Sequence, residues 1–282
     1  MMAKLIHLAI LLLLFGISNG TETSPGFRKD ANVIEGSKED PNLLLASTLD
    51  GKLKSLDPLS GRVLWTMEED PAFRSPSHIT RDFTFLPNPT DGSLFVLKDG
   101  ILKKLPFNIP QLVNLSPCKG ADGVLYAASK KDVWFGIDPK TGQKTETLSS
   151  SSSDRSCPAS LSDTVFIGRT EYRVTLFDEK NRGKSWNSTF NDYSSSDLPE
   201  DQWKMVHYSS PSSGHLMTFD NVSERLLWAA DLDQPVIALY LLKRDGLYKI
   251  PLSRMGQEVM DQMQKRVIRK CKFEIEMHRA FI

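Results

Sequence analysis

Residues 55–65 read Ser55-Leu56-Asp57-Pro58-Leu59-Ser60-Gly61-Arg62-Val63-Leu64-Trp65. This motif has an apolar residue before an Asp, turn-forming residues after it, and a Trp eight residues beyond the Asp. The Asp side chain accepts hydrogen bonds from the backbone of the turn, and Pro and Gly supply the backbone angles that the turn requires. The Trp on the outgoing strand then covers neighbouring strands with a large apolar area. The motif therefore predicts a strand, a turn and a second strand.

The same motif recurs along the chain, with the eight-residue spacing kept from Asp178 to Trp186 and from Asp220 to Trp228. A degenerate copy has Glu146 where the Trp would fall, and a weaker one lies at Asp99-Gly100. The Asp residues of the five copies, 42, 39, 40 and 42 residues apart, are Asp57, Asp99, Asp138, Asp178 and Asp220. A period near 40 with several short strands per unit is typical of propeller blades. Such turns and scattered Trp residues also occur in other β proteins, but the equal spacings favour a mostly β, propeller-like domain with a quinoprotein-type repeat.

The first twenty residues have the layout of a signal peptide. Lys4 precedes an apolar run from Leu5 to Phe15, and small residues end at Gly20. The run is too short to cross a bilayer as a helix. We therefore expect a signal peptide over 1–20, a flexible segment over 21–41 and a β-rich domain over 42–250.

The segment 251–282 differs from the rest of the chain and is basic. Its apolar residues recur at roughly helical spacing, at Met255, Val259, Met263, Val267 and Cys271. Basic residues lie beside them, at Lys265, Arg266, Arg269, Lys270 and Lys272. A basic amphipathic helix can bind a membrane surface or a partner. A solvated helical tail is favoured instead, because the apolar stripe is narrow and rich in Met.

Composition gives no sign of a nucleic-acid partner. The chain has 35 Lys and Arg against 35 Asp and Glu, so its overall field favours neither nucleic acid nor lipid. Its three Cys residues are too few for a disulfide scaffold. In an oxidising compartment Cys118 and Cys157 can pair and leave Cys271 over, although free thiols or an intermolecular bridge fit equally well.

The sequence contains none of the common catalytic or metal-binding motifs. No His lies in a zinc-protease pattern, and there is no Cys-x-x-Cys pair, Gly-rich phosphate loop or Gly-x-Ser-x-Gly elbow. We therefore expect no catalytic residues, metal or cofactor, and a binding function. Three glycosylation sequons begin at Asn114, Asn187 and Asn221. Asn187, which we expect in a polar loop after Trp186, is the best candidate for a glycan, because Pro117 follows the first sequon and Asn221 lies in a tight turn.

Several short sequence motifs occur in the same order and with similar spacings as in a known family. They are Ser47-Thr48-Leu49-Asp50-Gly51, Leu86-Pro87-Asn88-Pro89-Thr90-Asp91-Gly92-Ser93-Leu94, Lys104-Leu105-Pro106-Phe107-Asn108-Ile109-Pro110, Ser116-Pro117-Cys118, Gly168-Arg169-Thr170-Glu171-Tyr172, Trp186-Asn187-Ser188-Thr189 and Leu198-Pro199-Glu200-Asp201. Over roughly residues 42–248 the chain resembles the luminal domain of the inositol-requiring enzyme, a sensor of endoplasmic-reticulum stress.

The resemblance implies a sensor in the lumen of the endoplasmic reticulum, followed by a membrane helix and by serine/threonine kinase and endoribonuclease domains. It implies three partners, namely a second copy of the chain, unfolded polypeptides and the lumenal Hsp70 chaperone. It also implies a homodimer interface at Asn114, Pro117, Lys130, Asp132 and Trp134.

The chain departs from the family in its last part. After about Lys249 the resemblance stops, and no membrane helix, kinase or ribonuclease signature follows, so we expect a truncated form. Two other interpretations stay open: a soluble decoy that pairs with the longer sensor, and a propeller oxidoreductase with a quinone cofactor.

Overall fold

The computed structural model describes residues 41–74, 83–120, 123–149, 164–178 and 185–280. The expected signal peptide and nearly all of the expected flexible segment lie outside these residues. Within them the chain is mostly β, which confirms the predicted fold class. The strands form four sheets, accompanied by two α-helices and one 3-10 turn at Glu200–Gln202.

The first sheet joins the two ends of the β domain. Its six strands, in spatial order, are β13 (Ser196–Asp197), β18 (Gly246–Ile250), β17 (Val236–Lys243), β1 (Leu43–Thr48), β2 (Lys52–Leu56) and β3 (Val63–Glu68). The early strand β1 pairs antiparallel with the late strand β17, with Leu43 opposite Leu242. Leu44, Leu45 and Ala46 are fully buried, so β1 is covered on both faces.

The second sheet is built on two strands of 14 residues each. Its main path is β10 (Lys144–Ser149), β9 (Val124–Ile137), β11 (Val165–Asp178), β12 (Ser185–Tyr193) and β4 (Phe73–Arg74), and the short β8 (Cys118–Lys119) also pairs with β9. The strands β9 and β11 pair antiparallel along their whole length, from Val124 opposite Asp178 to Ile137 opposite Val165.

A buried ion cluster ties the first two sheets together. Glu69, just after β3, is 6% exposed and bonds the Arg169 guanidinium of β11 at 2.7 Å. Lys144 of β10 forms an ion pair with the other oxygen of the same carboxylate. Removing one member of such a buried pair leaves an uncompensated charge, so the cluster fixes how β11 lies against β3.

The two smaller sheets flank this pair. One contains β16 (Leu226–Asp231), β15 (His215–Asp220), β14 (Met205–Ser209) and β19 (Leu252–Arg254), and the other contains β5 (Phe83–Pro87), β6 (Ser93–Lys98) and β7 (Ile101–Asn108). The helix α1 (Ile109–Leu115) follows β7 directly, and its first turn carries a capping box between Asn108 and Gln111.

A second helix, α2 (Gln257–Ala280), occupies most of the segment that the sequence marks as different. Met260 is fully buried against Met217 and Phe219, so the beginning of the helix packs on the four-stranded sheet. Val259, which the predicted apolar stripe includes, is 48% exposed, because the buried face turns toward Met260 instead. The neighbouring Lys265, Arg266 and Arg269 are exposed.

The recurring Asp turns share one backbone geometry. In the turns that begin at Asp57, Asp138 and Asp220, the amide four residues later donates to the Asp carbonyl at 2.8 to 3.0 Å. The indole of Trp228 covers the first of these turns and donates to the Pro58 carbonyl at 2.7 Å. The indole of Trp65 covers the second and donates to the Pro139 carbonyl at 2.8 Å. Each Trp therefore docks on the turn of a different unit.

Glycine makes this docking possible. A Cβ on Gly61 would lie 2.4 Å from the ring of Trp228, and a Cβ on Gly142 would lie 2.4 Å from the ring of Trp65. We call Asp57–Gly61 and Asp138–Gly142 the docked turns. The third turn, 220–224, has Glu224 at the glycine position with a φ of 54°. Residues 221–224 are exposed, and we call this the undocked turn.

The predicted repeat is wrong at Asp99. The pair Asp99-Gly100, with φ values of 51° and 78°, forms a two-residue turn between β6 and β7 instead of the longer Asp turn. The longer turn occurs at 88–92, where the Gly92 amide donates to the Asn88 carbonyl at 2.9 Å. The described sheets have unequal numbers of strands. The propeller arrangement is therefore not confirmed.

Candidate functional site

A short free edge interrupts the pairing of β9. One side of β9 is paired with β11 throughout. On the other side, β8 pairs with Leu125 and Tyr126, and β10 pairs with residues 133–137. Within the part of the chain that the structure describes, no strand pairs with this side of residues 127–132. We call Ser129–Asp132, which is exposed throughout, the β9 edge.

The β9 edge carries charges of both signs. Lys130 Nζ lies 3.8 Å from Asp132 Oδ2, and both side chains are about half exposed. The hydroxyl of Thr170, opposite Asp132 on β11, donates to Asp132 Oδ1 at 2.7 Å. This bond fixes the carboxylate, so the negative charge has a defined position on the edge.

Trp134 extends the β9 edge with apolar area. Its side chain is 48% exposed. Its cross-strand partner is Gly168, where a Cβ would lie 3.0 Å from the Trp134 ring and equally close to Ser194. Gly168 therefore leaves the room in which the indole lies across β11.

The loop after α1 lies against the same strand. Ile109 and Leu112 anchor the helix in the core, whereas Asn114 and Pro117 are exposed. The Ala128 amide donates to the Ser116 hydroxyl at 2.6 Å, which holds the loop at the start of the β9 edge.

The structure thus places the five predicted interface residues on β9, on the last turn of α1 and on the loop that follows α1 and is bonded to β9. The sequence prediction missed Ser116, Gly168 and Thr170, which hold the loop, the indole and the carboxylate. The motifs that carry the family resemblance contain all three residues, but the roles of these residues depend on pairing between strands. Whether these residues meet a second copy of the chain stays a prediction.

The remaining predicted site residues lie elsewhere. Asn187 is exposed on β12, opposite Thr175 of β11, and not in the polar loop that the sequence suggested. Cys118 is half-buried on β8 and unpaired within the described residues, and Cys157 lies outside them. The predicted pairing of the two thiols is untested.

A buried His lies between two Trp rings behind the first docked turn. The Trp203 indole donates to His207 Nε2 at 2.9 Å, and His207 Nδ1 lies 2.8 Å from the Thr218 hydroxyl. The ring of His207 is 6.3 Å from that of Trp228. Burial lowers the pKa of His207 to about 4. A neutral ring that accepts from Trp203 and donates to Thr218 satisfies both bonds.

The described residues contain no group of three or more His, Cys, Asp or Glu side chains that could hold a metal ion. In the same residues, no helix combines the length and the apolar character that a membrane span requires.

No protein-family model matches the chain. A search of solved structures finds the compact lumenal domain of yeast Ire1, with a TM-score of 0.59 and 18% identity over 76% of each chain. The fold is therefore that of an Ire1 lumenal domain.

Sequence comparison identifies the relatives more closely. The chain is 58% identical over 260 residues, 92% of its length, to the serine/threonine-protein kinase/endoribonuclease ire-1 of Caenorhabditis elegans. It is 39% identical over 223 residues to the human serine/threonine-protein kinase/endoribonuclease IRE2, which covers 78% of the chain. The chain is thus homologous to the Ire1 proteins.

The extent of these matches has two consequences. The chain spans 27% and 23% of the lengths of these two relatives, or about a quarter. The 260-residue match is longer than the segment 42–248 to which the sequence analysis confined the resemblance, so the similarity extends past that segment.

Proposed function

We propose that this chain is the stress-sensing part of an Ire1-type protein, that it resides in the lumen of the endoplasmic reticulum, and that it acts by self-association. The homology and the fold support the first two statements. The β9 edge carries the third, because it offers unpaired backbone, charges of both signs and a half-exposed Trp on one strand. An exposed strand edge is a template for pairing with another chain.

A two-fold axis suits the charges of this edge. In a two-fold interface the same patch serves both chains. An antiparallel pairing centred on Lys131 places Lys130 of one chain opposite Asp132 of the other, and does so twice. Trp134 lies beyond this register, because β10 already pairs with β9 from Val133 onward, and its half-exposed indole is the part that a copy can contact. Exposed ion pairs contribute only about 0–1 kcal/mol each, so backbone pairing and burial of Trp134 supply most of the affinity.

The test is a charge reversal with a rescue. Asp132→Lys places like charges opposite each other in this register, and we expect weaker dimerisation by sedimentation and an unchanged circular dichroism spectrum. The double variant Lys130→Asp/Asp132→Lys restores opposite charges across the axis and should dimerise again. If Asp132→Lys dimerises like the wild type, or if the folded double variant does not recover, this interface is wrong.

A sensing function also requires ligands. We propose that unfolded polypeptides and the lumenal Hsp70 chaperone bind this domain, as the resemblance to the Ire1 sensors implies. Titration of the purified chain with a labelled, permanently unfolded polypeptide, and separately with the chaperone, tests this. Saturable binding of each is expected, and a lack of binding at concentrations at which the chain dimerises argues against a sensor.

Location in the lumen requires processing at the N-terminus. We propose that residues 1–20 are removed and that the mature chain begins at Thr21. N-terminal sequencing of the secreted-pathway product is expected to begin there, and a product that begins at Met1 excludes cleavage. We also propose a glycan on Asn187, which is exposed on β12. Asn187→Gln should then migrate faster on a gel than the wild type.

A further inference from the structure

The undocked turn differs from the docked turns at two positions. Pro58 and Pro139, which follow the Asp of the docked turns, offer their carbonyls to a Trp. In the undocked turn Asn221 takes this position, and Glu224 replaces the glycine on which the indole lies. Because a glutamate Cβ occupies the space that docking needs, this turn cannot receive a Trp in the same way.

Asn221, Val222 and Ser223 form a glycosylation sequon on that open turn. Asn221 is exposed, and its backbone amide donates to the Lys204 carbonyl at 2.8 Å. Its carboxamide makes no hydrogen bond to any other described residue. Val222 is 83% exposed. A sugar on Asn221 therefore displaces no contact that the fold uses.

The turn itself is held by a different residue. Asp220 Oδ1 accepts the Ser223 amide at 2.6 Å and the Ser223 hydroxyl at 2.7 Å. Since these bonds do not involve the Asn221 side chain, modification of that side chain leaves the turn intact.

We propose that Asn221 carries an N-linked glycan, which rests on the proposed location in the lumen. The Asn221 amide nitrogen forms a bond to the anomeric carbon of a lipid-pyrophosphate-linked oligosaccharide. The bond from that carbon to the pyrophosphate oxygen breaks, the lipid pyrophosphate leaves, and the amide proton passes to the transferase. The glycan keeps the β15–β16 end of the molecule in solvent and leaves the β9 edge for self-association.

The structure separates this sequon from the one at Asn114. Asn114 lies on the last turn of α1, and Ser116 of that sequon is bonded to Ala128 beside the β9 edge. A glycan there crowds the proposed interface, whereas a glycan on Asn221 lies on a different sheet.

The experiment is translation of the whole chain with endoplasmic-reticulum microsomes, followed by protease protection and by glycosidase digestion. Asn221→Gln and Ser223→Ala should each lose one glycan relative to the wild type, and Ser223→Thr, which keeps the sequon, should retain it. Protease protection reports entry into the lumen independently of any sugar. A protected chain whose glycan number is the same with and without Asn221→Gln overturns this proposal alone. A chain that the protease digests overturns the lumenal location, and this proposal with it.

Discussion

The docked turn Asp57–Gly61 and the undocked turn at 220–224 have the same internal bonds and different surroundings. In both, the first Asp accepts backbone amides, from Leu59 at 2.8 Å and from Ser223 at 2.6 Å. These bonds are the main cause that lowers the pKa of Asp57 and of Asp220. Only the first turn lies under an indole. Local sequence therefore sets the shape of the turn, and the glycine at its fifth position leaves the room in which an indole can cover it.

Removal of the Trp228 indole should have the largest effect on the difference between the docked and undocked turns. Trp228→Ala deletes a buried ring and leaves the Pro58 carbonyl without its donor, so we expect a loss of about 3–5 kcal/mol in the free energy of unfolding. Chemical denaturation measures this loss. The matched control is Leu227→Ala, since Leu227 is next to it on β16 and 41% exposed. Similar losses in both variants contradict the docking argument.

A methyl group on the docked turn has the next largest effect. In Gly61→Ala the new Cβ meets the Trp228 ring at 2.4 Å, and the φ of 68° adds strain. We expect about 2–4 kcal/mol of destabilisation. Gly100→Ala is the control, because its φ is 78° and nothing lies within 4 Å of a Cβ there. That variant should lose only the strain, about 1 kcal/mol, and an equal loss in the two variants removes steric docking as the cause.

Acid should weaken the docked side of the molecule through His207. The unfolded chain binds a proton at His207 below its ordinary pKa of 6.5, whereas the folded protein resists it until about pH 4. Stability from this group is therefore complete above pH 6.5 and falls as the pH drops toward 4, by about 2 kcal/mol between pH 7 and pH 5. Urea denaturation at these two pH values measures the change. A folded His207→Asn variant should lose less stability over this interval, and an unchanged loss assigns the effect to other groups.

The smallest effect is expected on the undocked turn. Glu224→Gly removes a side chain from a residue with a φ of 54°, which relieves strain, but it also raises the entropy of the unfolded chain. We expect a net stabilisation of about 0.5–1 kcal/mol in chemical denaturation. A loss of stability shows that the Glu224 side chain supports the turn in a way that its exposure does not suggest.

Parts of this fold follow from the sequence because they are local. The Asp turns and the Trp spacing are properties of ten neighbouring residues, and the structure keeps them at Asp57 and Asp220. The turn on which each indole docks is not determined locally. Trp228 reaches a turn about 170 residues earlier in the chain, so the partner depends on how whole sheets pack. The Asp99 copy was wrong because Asp99 and Gly100 together form a two-residue turn, both with positive φ.

In the candidate site, too, some features follow from the sequence and others depend on how strands pair. Lys130, Asp132 and Trp134 stand out in the sequence through their charge and size and through the family resemblance. Among the described residues, the free edge lies between Cys118 of β8, which is opposite Tyr126, and Ser149 of β10, which is opposite Val133. Where each strand stops pairing with β9 depends on its register, so the sequence of β9 alone cannot predict the gap between them.

The pairing of β1 with β17 has a consequence for synthesis of the chain. Thr48 lies opposite Val236, so 188 residues must follow β1 before its partner is made. At about 5–20 residues per second, β1 waits roughly 10 to 40 s after it has been translated. During that time its apolar residues Leu44 and Leu45 have no strand of their own sheet on that side. A nascent copy of this chain therefore exposes the same kind of unpaired apolar strand that we propose the finished domain detects.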